Sequence, residues 1–359
     1  MRILALVTDS FGGTGGIARY NQYFLSALAR RNDIERIIVI GRNHSASNQD
    51  IPSKILIKKT SQSKWGYALC ALKTVLAERP FQLIFCGHLN LIWLTAVLAK
   101  IARVSYWLQL YGIEAWYPKS VYFSPLKKAA LVTALSRHTR ERFIHWSHIQ
   151  PARVKILPSP YDQRFKPGTK PAYLLKRYEA ENRKILLTLS RLSSDERYKG
   201  HERVIKIVPQ LLQVYSNLVY FIGGEGDDRE RLNEIVMKLG LQEKVKFIGP
   251  IAENELADHY RMADLFVMPS TGEGFGIVFL EAAACGIPIV AGNQDGSVDA
   301  LLEGKLGFLV DPNNSDQLER AICQGLSQAR TDHEMVERFS YANYSEHVNR
   351  LIESLTHAS

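Results

Sequence analysis

Short apolar runs rich in β-branched residues alternate with longer segments of helical spacing along the chain. Uninterrupted apolar runs of this kind are typical of parallel strands that are buried on both faces. Strands are predicted at Ile3–Thr8, Ile37–Ile40, Leu83–Cys86, Val104–Leu110, Ala130–Ala134, Lys184–Leu189, Leu218–Ile222, Val245–Ile248, Leu265–Met268 and Ile287–Val290. Helices are predicted at Ile17–Arg31, Trp65–Glu78, Leu89–Ile101, Ser136–His145, His201–Tyr215, Asp227–Leu239, Glu253–Met262, Gly276–Cys285 and Ser315–Gln328. Each half therefore carries enough βα units for its own doubly wound α/β sheet.

The length of the chain, 359 residues, predicts two domains, because single hydrophobic cores stop growing at roughly 250–300 residues. Proline and glycine punctuate the region from Pro158 to Lys184, which is typical of a domain boundary. We predict a first domain over residues 1–165, a second over residues 166–333, and a polar helical segment over residues 334–359.

Charge is distributed unevenly between the two halves. Residues 1–165 hold 23 Lys and Arg against 8 Asp and Glu, a balance of +15. Residues 166–359 hold 22 against 28, a balance of −6, so the whole chain carries +9. A basic surplus confined to one domain indicates an anionic partner there, such as a membrane, a nucleic acid or a phosphorylated ligand.

The cysteines and the apolar stretches predict a cytoplasmic protein. None of the four cysteines sits in a CxxC pair, which favours free thiols in a reducing compartment. The apolar start of the chain is too short for a signal-peptide core. The longest apolar stretch, Leu89 to Ala99, includes polar residues and falls short of the about 20 residues that cross a bilayer.

A glycine-rich segment, Gly12-Gly13-Thr14-Gly15-Gly16, joins the first predicted strand to the first predicted helix. Glycines allow close approach of a ligand, and the N–H groups at a helix start bind anions. Residues 13–18 also satisfy the GxGxxA dinucleotide pattern, but the next strand ends without the acidic residue that would bind an NAD ribose. An NAD(P)-dependent oxidoreductase and a flexible turn stay open as alternatives.

Two cations flank the end of the first strand of the second half. Arg191 follows the strand, and Lys199 comes just before the next helix. Ligands bind at the carboxyl ends of strands in open α/β sheets, and a guanidinium with an ammonium suits a diphosphate. The acidic neighbours Asp195 and Glu196 leave a solvated charged loop as the alternative.

Two carboxylates, Glu273 and Glu281, lie eight positions apart on a glycine-rich loop and the apolar helix that follows it. Both can accept hydrogen bonds from hydroxyl groups, and the glycines between them expose N–H groups at the helix start. A carboxylate within an apolar helix is rarely buried without a partner. A structural ion pair is therefore the alternative for Glu281.

These motifs together resemble glycosyltransferase family 4. The resemblance rests on Glu273-x7-Glu281 after Met268-Pro269-Ser270, on Gly223-Gly224-Glu225-Gly226, on Val245–Gly249, and on Arg191 with Lys199-Gly200. It covers nearly the whole chain and implies the GT-B fold, with two Rossmann-like domains facing a cleft and a C-terminal helix crossing back onto the N-terminal domain. It also implies an enzyme, a hexosyltransferase that retains the anomeric configuration.

The resemblance further implies roles for individual residues. Arg191 and Lys199 match the pair that holds the donor diphosphate, Glu273 matches the carboxylate at the donor sugar, and Glu281 matches the one at the ribose hydroxyls. Contacts to the sugar, phosphate and base are implied for the backbone of Gly15, Gly16, Ile248, Gly274, Phe275, Gly276 and Ile277. The donor would be a GDP- or UDP-linked sugar, and no cofactor or metal is expected.

One departure concerns the side of the transferred sugar and the acceptor. Many relatives carry a His–Gly pair where this chain has Tyr111 before glycine, and tyrosine, with an ordinary pKa of about 10, is a poor base near pH 7. Glu114 belongs to the same family-like segment. His88, after another strand, is a further candidate, and a helix-start residue is its alternative.

The basic surplus predicts the acceptor side. Aromatic or apolar residues such as Trp65, Tyr122, Phe123 and Leu126 lie among the lysines Lys58, Lys59, Lys64, Lys119, Lys127 and Lys128. The helix Ser136–His148 carries Arg137, Arg140 and Arg142 together with Phe143 and Trp146. Such a surface suits an anionic membrane. We expect a glycan or lipid-linked acceptor of cell-surface polysaccharide or lipopolysaccharide synthesis, at the inner face of the cytoplasmic membrane, and no nucleic acid. A GT-B epimerase or phosphorylase and a non-catalytic sugar-nucleotide-binding module stay as alternatives.

Overall fold

The computed structural model describes residues 1–13, 15–42, 51–60, 63–328 and 334–356. Contacts divide the chain into two compact units. Unit 1 comprises Met1–Pro160 with Tyr341–Ser359, and unit 2 comprises Tyr161–Ser340.

Unit 1 is built on seven parallel strands in the order β3-β2-β1-β4-β5-β6-β7. The strands are β1 (Arg2–Val7), β2 (Arg36–Gly41), β3 (Ile55–Lys58), β4 (Leu83–Gly87), β5 (Ser105–Leu110), β6 (Leu131–Ala134) and β7 (Val154–Ile156). The helices are α1 (Gly16–Ala29), α2 (Lys64–Ala77), α3 (Ile92–Ala102), α4 (Phe123–Leu126) and α5 (Arg137–Ser147). The central strand β1 pairs with β2 and β4, so Ala5 lies opposite both Val39 and Phe85.

The two faces of this sheet bury different helices. On one face, Tyr67 of α2, Leu98 of α3 and Phe143 of α5 belong to one apolar cluster with strand residues such as Leu4 and Ile84. On the other face, the ring of Phe24 in α1 lies 4.2 Å from that of Phe85 and 5.0 Å from that of Trp107, between ring centroids. Successive side chains along each strand point to opposite faces of the sheet, so each strand contributes to the apolar packing on both faces.

Unit 2 contains six parallel strands in the order β10-β9-β8-β11-β12-β13. The strands are β8 (Lys184–Leu189), β9 (Leu218–Gly223), β10 (Val245–Gly249), β11 (Leu265–Met268), β12 (Ile289–Gly292) and β13 (Phe308–Val310). The helices are α6 (Ala172–Arg177), α7 (His201–Val214), α8 (Arg229–Lys238), α9 (Leu256–Met262), α10 (Ile277–Ala284), α11 (Ser297–Ala300) and α12 (Ser315–Ser327). Both sheets reverse strand order beside their first strand, which is the doubly wound topology expected from the sequence.

The last helix, α13 (Tyr341–Thr356), belongs to unit 1 and packs on α1. The rings of Tyr344 and Tyr20 meet edge to face at 5.9 Å, and the guanidinium of Arg30 lies 4.6 Å from the ring centroid of Tyr341. Aromatic contacts of this type add to the stability gained from burial.

The sequence pattern missed strands β3, β7 and β13. Each has only three or four residues and lies at the edge of its sheet, where one side of the strand has no neighbour. Edge strands are short and less apolar, so their pattern is weak. The predicted helix from Leu89 also begins later, because Leu89–Leu91 form a 3₁₀ turn before α3.

The aromatic residues expected at the surface of α5 lie in the core instead. Phe143 and Trp146 are buried in the unit 1 core, and the guanidinium of Arg140 donates to the carbonyls of Val154 at 2.8 Å and Pro151 at 2.9 Å. Lys58, another predicted surface cation, forms an ion pair with Glu78. These residues stabilise the unit itself.

Within the described residues, no helix combines the length and the apolar character that crossing a bilayer requires.

We predict that Phe24→Ala lowers the free energy of unfolding of unit 1 by about 3–5 kcal/mol, since the ring is fully buried and its removal leaves a cavity. All five tryptophans lie between residues 65 and 146, so tryptophan fluorescence during urea unfolding reports on unit 1. Val121→Ala is the control, because that side chain is 60% exposed and should cost less than about 0.5 kcal/mol. Equal effects of the two substitutions would contradict the assigned packing.

Candidate active site

The strand order of unit 2 brings two loops together at the carboxyl edge of its sheet. Strands β8 and β11 are hydrogen-bonded neighbours. From β8 the chain continues to β9 on one side of the sheet, and from β11 it continues to β12 on the other side. Ligands in open α/β sheets bind at this switch point. The loop after β8 runs from Ser190 to Lys199, and the loop after β11 runs from Pro269 to Gly276.

A lysine and a glutamate from these two loops form an ion pair. The Nζ atom of Lys199 lies 2.7 Å from Oε1 of Glu273, and the two side chains are only 13% and 15% exposed. Burial lowers the pKa of Lys199, but the negative charge of Glu273 and the neighbouring Tyr198 and Glu196 outweigh burial, so its pKa lies above the ordinary value. The site therefore holds a fixed, partly desolvated ammonium at neutral pH.

The other predicted cation, Arg191, lies on the same loop and forms an ion pair with Glu196. The Oε2 atom of Glu196 is 3.7 Å from Nζ of Lys199, so one carboxylate lies between the two cations. The Arg191 side chain is 76% exposed, whereas that of Glu196 is only 12% exposed. The structure thus brings together Arg191, Lys199 and Glu273, with Glu196 as a partner that sequence reasoning did not assign.

Two aspartates, Asp227 and Asp228, anchor the segment that carries Lys199. Residues Ser194–Lys199 form 3₁₀ turns that are interrupted by a kink at Glu196, and Nε of Arg197 donates to the buried carboxylate of Asp228 at 2.9 Å. Arg231 donates two further hydrogen bonds to Asp228, both at 2.7 Å. The neighbouring Asp227 accepts from the backbone N–H of Ser194 at 2.8 Å. These charge-assisted hydrogen bonds hold the loop in one conformation.

A buried aspartate, Asp295, fixes the loop that carries Glu273. Its Oδ2 atom accepts from the backbone N–H of Glu273 at 2.7 Å and from the hydroxyl of Ser270, and its Oδ1 atom accepts from the N–H of Ser297 at 2.9 Å. Asp295 is 2% exposed. Burial raises its pKa, and the hydrogen bonds that it accepts oppose part of that rise.

Sequence reasoning missed Asp295. The available signal was an acidic residue before Gly296 directly after β12, the strand that pairs with β11. Gly296 is required at its position, because an added Cβ would lie 2.2 Å from the carbonyl oxygen of Gly274. The glycine therefore allows the two loops to approach closely.

The Glu273 loop ends at the start of α10. Gly276 precedes the helix with a φ of 87°, and a Cβ there would lie 2.4 Å from the ring of Phe279. Only glycine adopts such a conformation without strain. Phe275 is buried and its ring contacts that of Phe339 at 5.7 Å, so the backbone at Gly274 and Ile277 is held between a packed aromatic residue and a helix.

Glu281 lies in the second turn of α10 and is 2% exposed. Its Oε2 atom accepts from the hydroxyl of Tyr260 at 2.7 Å. A buried carboxylate with a hydroxyl partner agrees with the expectation that Glu281 would not be buried alone. The predicted base-lining residue Ile248 lies in β10, two strands from β8.

A histidine that sequence reasoning did not assign lies beside the ion pair. The Nε2 atom of His201, at the start of α7, is 2.8 Å from the hydroxyl oxygen of Ser190. Burial, followed by the charge of Lys199, lowers the pKa of His201 to about 4. The imidazole is therefore neutral at pH 7 and adds no positive charge to the loop.

The other predicted residues belong to unit 1. Gly15 precedes α1 with a φ of 90°, and Gly16 is the first residue of that helix. Asp9 lies under this loop, because a Cβ at Gly13 would come within 1.9 Å of its Oδ1 atom. Thr14 of the glycine-rich segment lies outside the described residues.

Three candidates for the acceptor side, His88, Tyr111 and Glu114, come together after the neighbouring strands β4 and β5. The rings of His88 and Tyr111 stack with centroids 6.2 Å apart. Glu114 accepts from the N–H groups of Tyr111 at 2.6 Å and Gly112 at 3.0 Å, so both carboxylate oxygens stabilise their own loop.

Neither ring of this group is suited to act as a strong base. Burial raises the pKa of Tyr111 well above its ordinary value, and its hydroxyl donates to Asn21 at 2.7 Å. Burial lowers the pKa of His88, and its Nδ1 atom accepts from the N–H of Asn90 at 3.1 Å. His88 is thus the cap of a 3₁₀ turn, as the alternative interpretation held, and its imidazole is neutral.

Comparison with solved structures identifies the fold. The structure of HepE (Alr3699) of Anabaena in complex with UDP-glucose superimposes with a TM-score of 0.80 at 22% sequence identity, over 99% of this chain and 100% of that one. This likeness shows that the fold is GT-B.

Sequence comparison identifies the family. The family model "Glycosyl transferases group 1" matches residues 174–345. A GDP-mannose-dependent alpha-(1-6)-phosphatidylinositol monomannoside mannosyltransferase of Mycolicibacterium smegmatis is 30% identical over 91% of this chain and 90% of its own length. The protein of the same name from Mycobacterium tuberculosis is 31% identical over 70% of this chain and 69% of its own length. The chain belongs to the group 1 glycosyltransferases, as the family 4 resemblance predicted.

We predict that Asp295→Ala both destabilises unit 2 and reduces transfer activity. Each buried donor left without an acceptor costs about 1–3 kcal/mol, and the Glu273 loop loses its anchor. We expect a lower melting temperature in circular dichroism and a fall in kcat larger than the change in KM, because Asp295 positions Glu273.

The matched control is Asp316→Asn, which alters an exposed aspartate at the start of α12. Asp295→Asn should retain part of the activity, since the amide oxygen can still accept one of the hydrogen bonds. Full activity of Asp295→Ala would contradict the positioning role.

Proposed function

We propose that the chain transfers a hexose, with retention of configuration, from a nucleoside-diphosphate sugar to a glycan or lipid-linked acceptor. The observation that carries the proposal is the fixed ammonium of Lys199, with Arg191 beside it, at the switch point of the unit 2 sheet. This pair suits the two phosphates of such a donor. The GDP-mannose-dependent relatives favour GDP-mannose over a UDP-linked sugar.

The charges account for how the bond to the sugar breaks. As the glycosidic bond lengthens, negative charge develops on the leaving diphosphate and positive charge on the sugar carbon. Lys199 and Arg191, with the N–H groups at the start of α10, stabilise the negative charge from positions fixed before the reaction. Arg191 pairs with Glu196, and Lys199 pairs with Glu273.

The carboxylates bind the uncharged parts of the donor. Glu273 accepts hydrogen bonds from hydroxyls of the transferred sugar, and Glu281 accepts from those of the ribose. Each carboxylate has a fixed backbone, since Asp295 anchors the first and α10 carries the second. The N–H groups at Gly15 and Gly16 and the backbone near Ile248 contribute further contacts to phosphate and base.

The acceptor proton passes to the leaving phosphate oxygen. The acceptor oxygen forms its bond to the sugar carbon on the same face from which the diphosphate departs, and its proton moves to the departing oxygen, so no protein base is consumed. The raised pKa of Tyr111 and the neutral His88 support this route, because neither group is an effective base in the unit 1 cluster.

The basic surplus of residues 1–165 supports a lipid-linked acceptor at an anionic membrane. The name of the Mycolicibacterium smegmatis relative specifies a phosphatidylinositol monomannoside, which is also a lipid. We place the protein at the inner face of the cytoplasmic membrane, in the synthesis of cell-surface polysaccharide or lipopolysaccharide.

A thermal-shift series tests the donor class directly. GDP, UDP, GDP-mannose, UDP-glucose and NADH are compared at equal concentrations, and we expect a guanine nucleotide to raise the melting temperature most. A ligand that binds only the folded protein at 100 times its Kd stabilises it by about 2.7 kcal/mol. Stabilisation by NADH alone would contradict the proposal.

A transfer assay with the stabilising donor then distinguishes the chemistry. We expect hexose transfer with the donor's anomeric configuration in the product, and equal rates with and without EDTA because no metal is proposed. A free epimerised sugar nucleotide or phosphorolysis would instead show a GT-B epimerase or phosphorylase. Binding without transfer or donor hydrolysis would show a non-catalytic binding module.

We predict that Lys199→Met lowers kcat by about 10²–10³-fold at saturating donor, as expected when one preorganised charge at a developing anion is removed. Lys199→Arg keeps the positive charge and should recover part of the loss. Lys206→Met is the control, since Lys206 is an exposed lysine on α7. Unchanged turnover in a folded Lys199→Met protein would contradict the charge-stabilising role.

A further inference from the structure

We propose that the outward faces of α2 and α3 form the surface by which unit 1 binds an anionic lipid bilayer. This surface, the Trp–Lys face, is defined by Trp65, Leu69 and Lys73 on α2 and by Trp93, Val97 and Lys100 on α3. The inference rests on the membrane-bound acceptor of the proposed function and names the part of the chain that contacts lipid.

The stripe on α2 exposes large apolar side chains at helical spacing. Trp65 is 87% exposed, Leu69 is 52% exposed and Leu76 is 56% exposed. Positions 65, 69, 73 and 76 follow the i, i+4, i+8 and i+11 spacing of one helix face, and Lys73 is the polar member. The opposite side of the helix, including Tyr67 and Val75, is in the core.

Helix α3 repeats the arrangement. Trp93 is 47% exposed and Val97 is 50% exposed, and Lys100 follows one turn later on the same side. Leu98 and Ala99 of α3 belong to the same core cluster as the buried side of α2, and the two helices contact each other. Both stripes therefore point away from the same face of the sheet.

A neighbouring segment extends the Trp–Lys face. The indole N–H of Trp93 donates to the carbonyl oxygen of Val121 at 2.8 Å, and Val121 is itself 60% exposed. Lys119, two positions earlier, lies 5.7 Å from the ring centroid of Tyr122. The exposed lysines Lys127 and Lys128 come directly after α4.

The charges of this face identify its partner. Neither α2 nor α3 contains an Asp or Glu residue, and their three charged residues are Lys64, Lys73 and Lys100. Two copies of the chain that met through this face would bring lysines against lysines. An anionic bilayer instead complements the lysines, each worth about 1 kcal/mol near its surface, and accepts the apolar side chains between them.

The residue types also fit the depth of a bilayer interface. Tryptophan is enriched where headgroups meet the acyl chains, because its ring is apolar and its N–H is polar. Lysine extends its charge toward headgroups while its stem covers apolar surface. An exposed tryptophan followed by an aliphatic residue and a lysine, on each of two adjacent helices, thus matches an interfacial surface.

Vesicle sedimentation tests the Trp–Lys face without requiring turnover. Full-length protein is mixed with vesicles of phosphatidylcholine alone or with phosphatidylglycerol added, and the bound fraction is measured at low and high salt. We expect binding to the anionic vesicles, weakened by salt, and little binding to the neutral ones. Equal binding to both, or none to either, would overturn the proposal.

Two matched pairs of variants locate the surface. Trp65→Ser with Leu69→Ser should weaken binding to anionic vesicles by about tenfold or more, because both apolar side chains leave the interface. Val214→Ser with Met237→Ser is the control in unit 2, where the two side chains are 61% and 56% exposed. Lys73→Glu should weaken binding by about fivefold or more, whereas Lys238→Glu, on the exposed side of α8, should not.

Activity with a soluble acceptor separates the two proposals. The Trp65→Ser/Leu69→Ser variant should transfer sugar to a soluble glycoside as fast as the wild type, because the face lies outside the proposed catalytic machinery. Lost vesicle binding with retained transfer supports the face, and wild-type vesicle binding in this variant overturns it. If wild-type protein binds vesicles through this face but transfers nothing, only the proposed function fails. Self-association in the absence of lipid that the variant abolishes would show a second copy as the occupant and overturn the inference.

Discussion

The ion pair between Lys199 and Glu273 is the interaction on which the site of unit 2 depends. An ammonium that is mostly withdrawn from water needs a negative partner, and Glu273 supplies it at 2.7 Å from the neighbouring loop. Each partner is fixed by a buried aspartate. Asp228 anchors the segment that leads to Lys199, through Arg197, and Asp295 anchors the backbone of Glu273. The order of strands β8, β11 and β12 makes this arrangement possible, because it places three loops side by side.

The sequence predicted most of this site because its residues follow strands. Arg191 and Glu273 lie shortly after apolar runs and Lys199 lies just before the next helix, and parallel strands bring the loops that carry them to one edge. Asp295 and Glu196 could not be assigned in the same way, since their roles depend on pairings between loops that no local pattern shows. Asp295 serves Glu273 across 22 positions of sequence, and only the neighbouring register of β11 and β12 brings them together.

The strands of the fold also differ in how well the local sequence predicts them. Central strands such as β1 and β8 carry apolar runs that are evident from the sequence alone, whereas the edge strands β3, β7 and β13 do not. Helix faces were harder to predict than helices. Phe143 and Trp146 were expected at the surface of α5 but are buried. Trp65 on α2 and Trp93 on α3 are exposed. The basic surplus of the first half is therefore best connected with α2 and α3, where lysines and exposed apolar residues share one side.

The central claim is that Lys199 holds the donor diphosphate at the switch point of unit 2. A crystal structure of the protein with bound GDP-mannose tests it most directly. We predict that a diphosphate oxygen lies within about 3 Å of Nζ of Lys199, as in other charge-assisted hydrogen bonds, and that Glu273 faces the sugar. A diphosphate bound elsewhere, with the Lys199–Glu273 ion pair unchanged, would contradict the account.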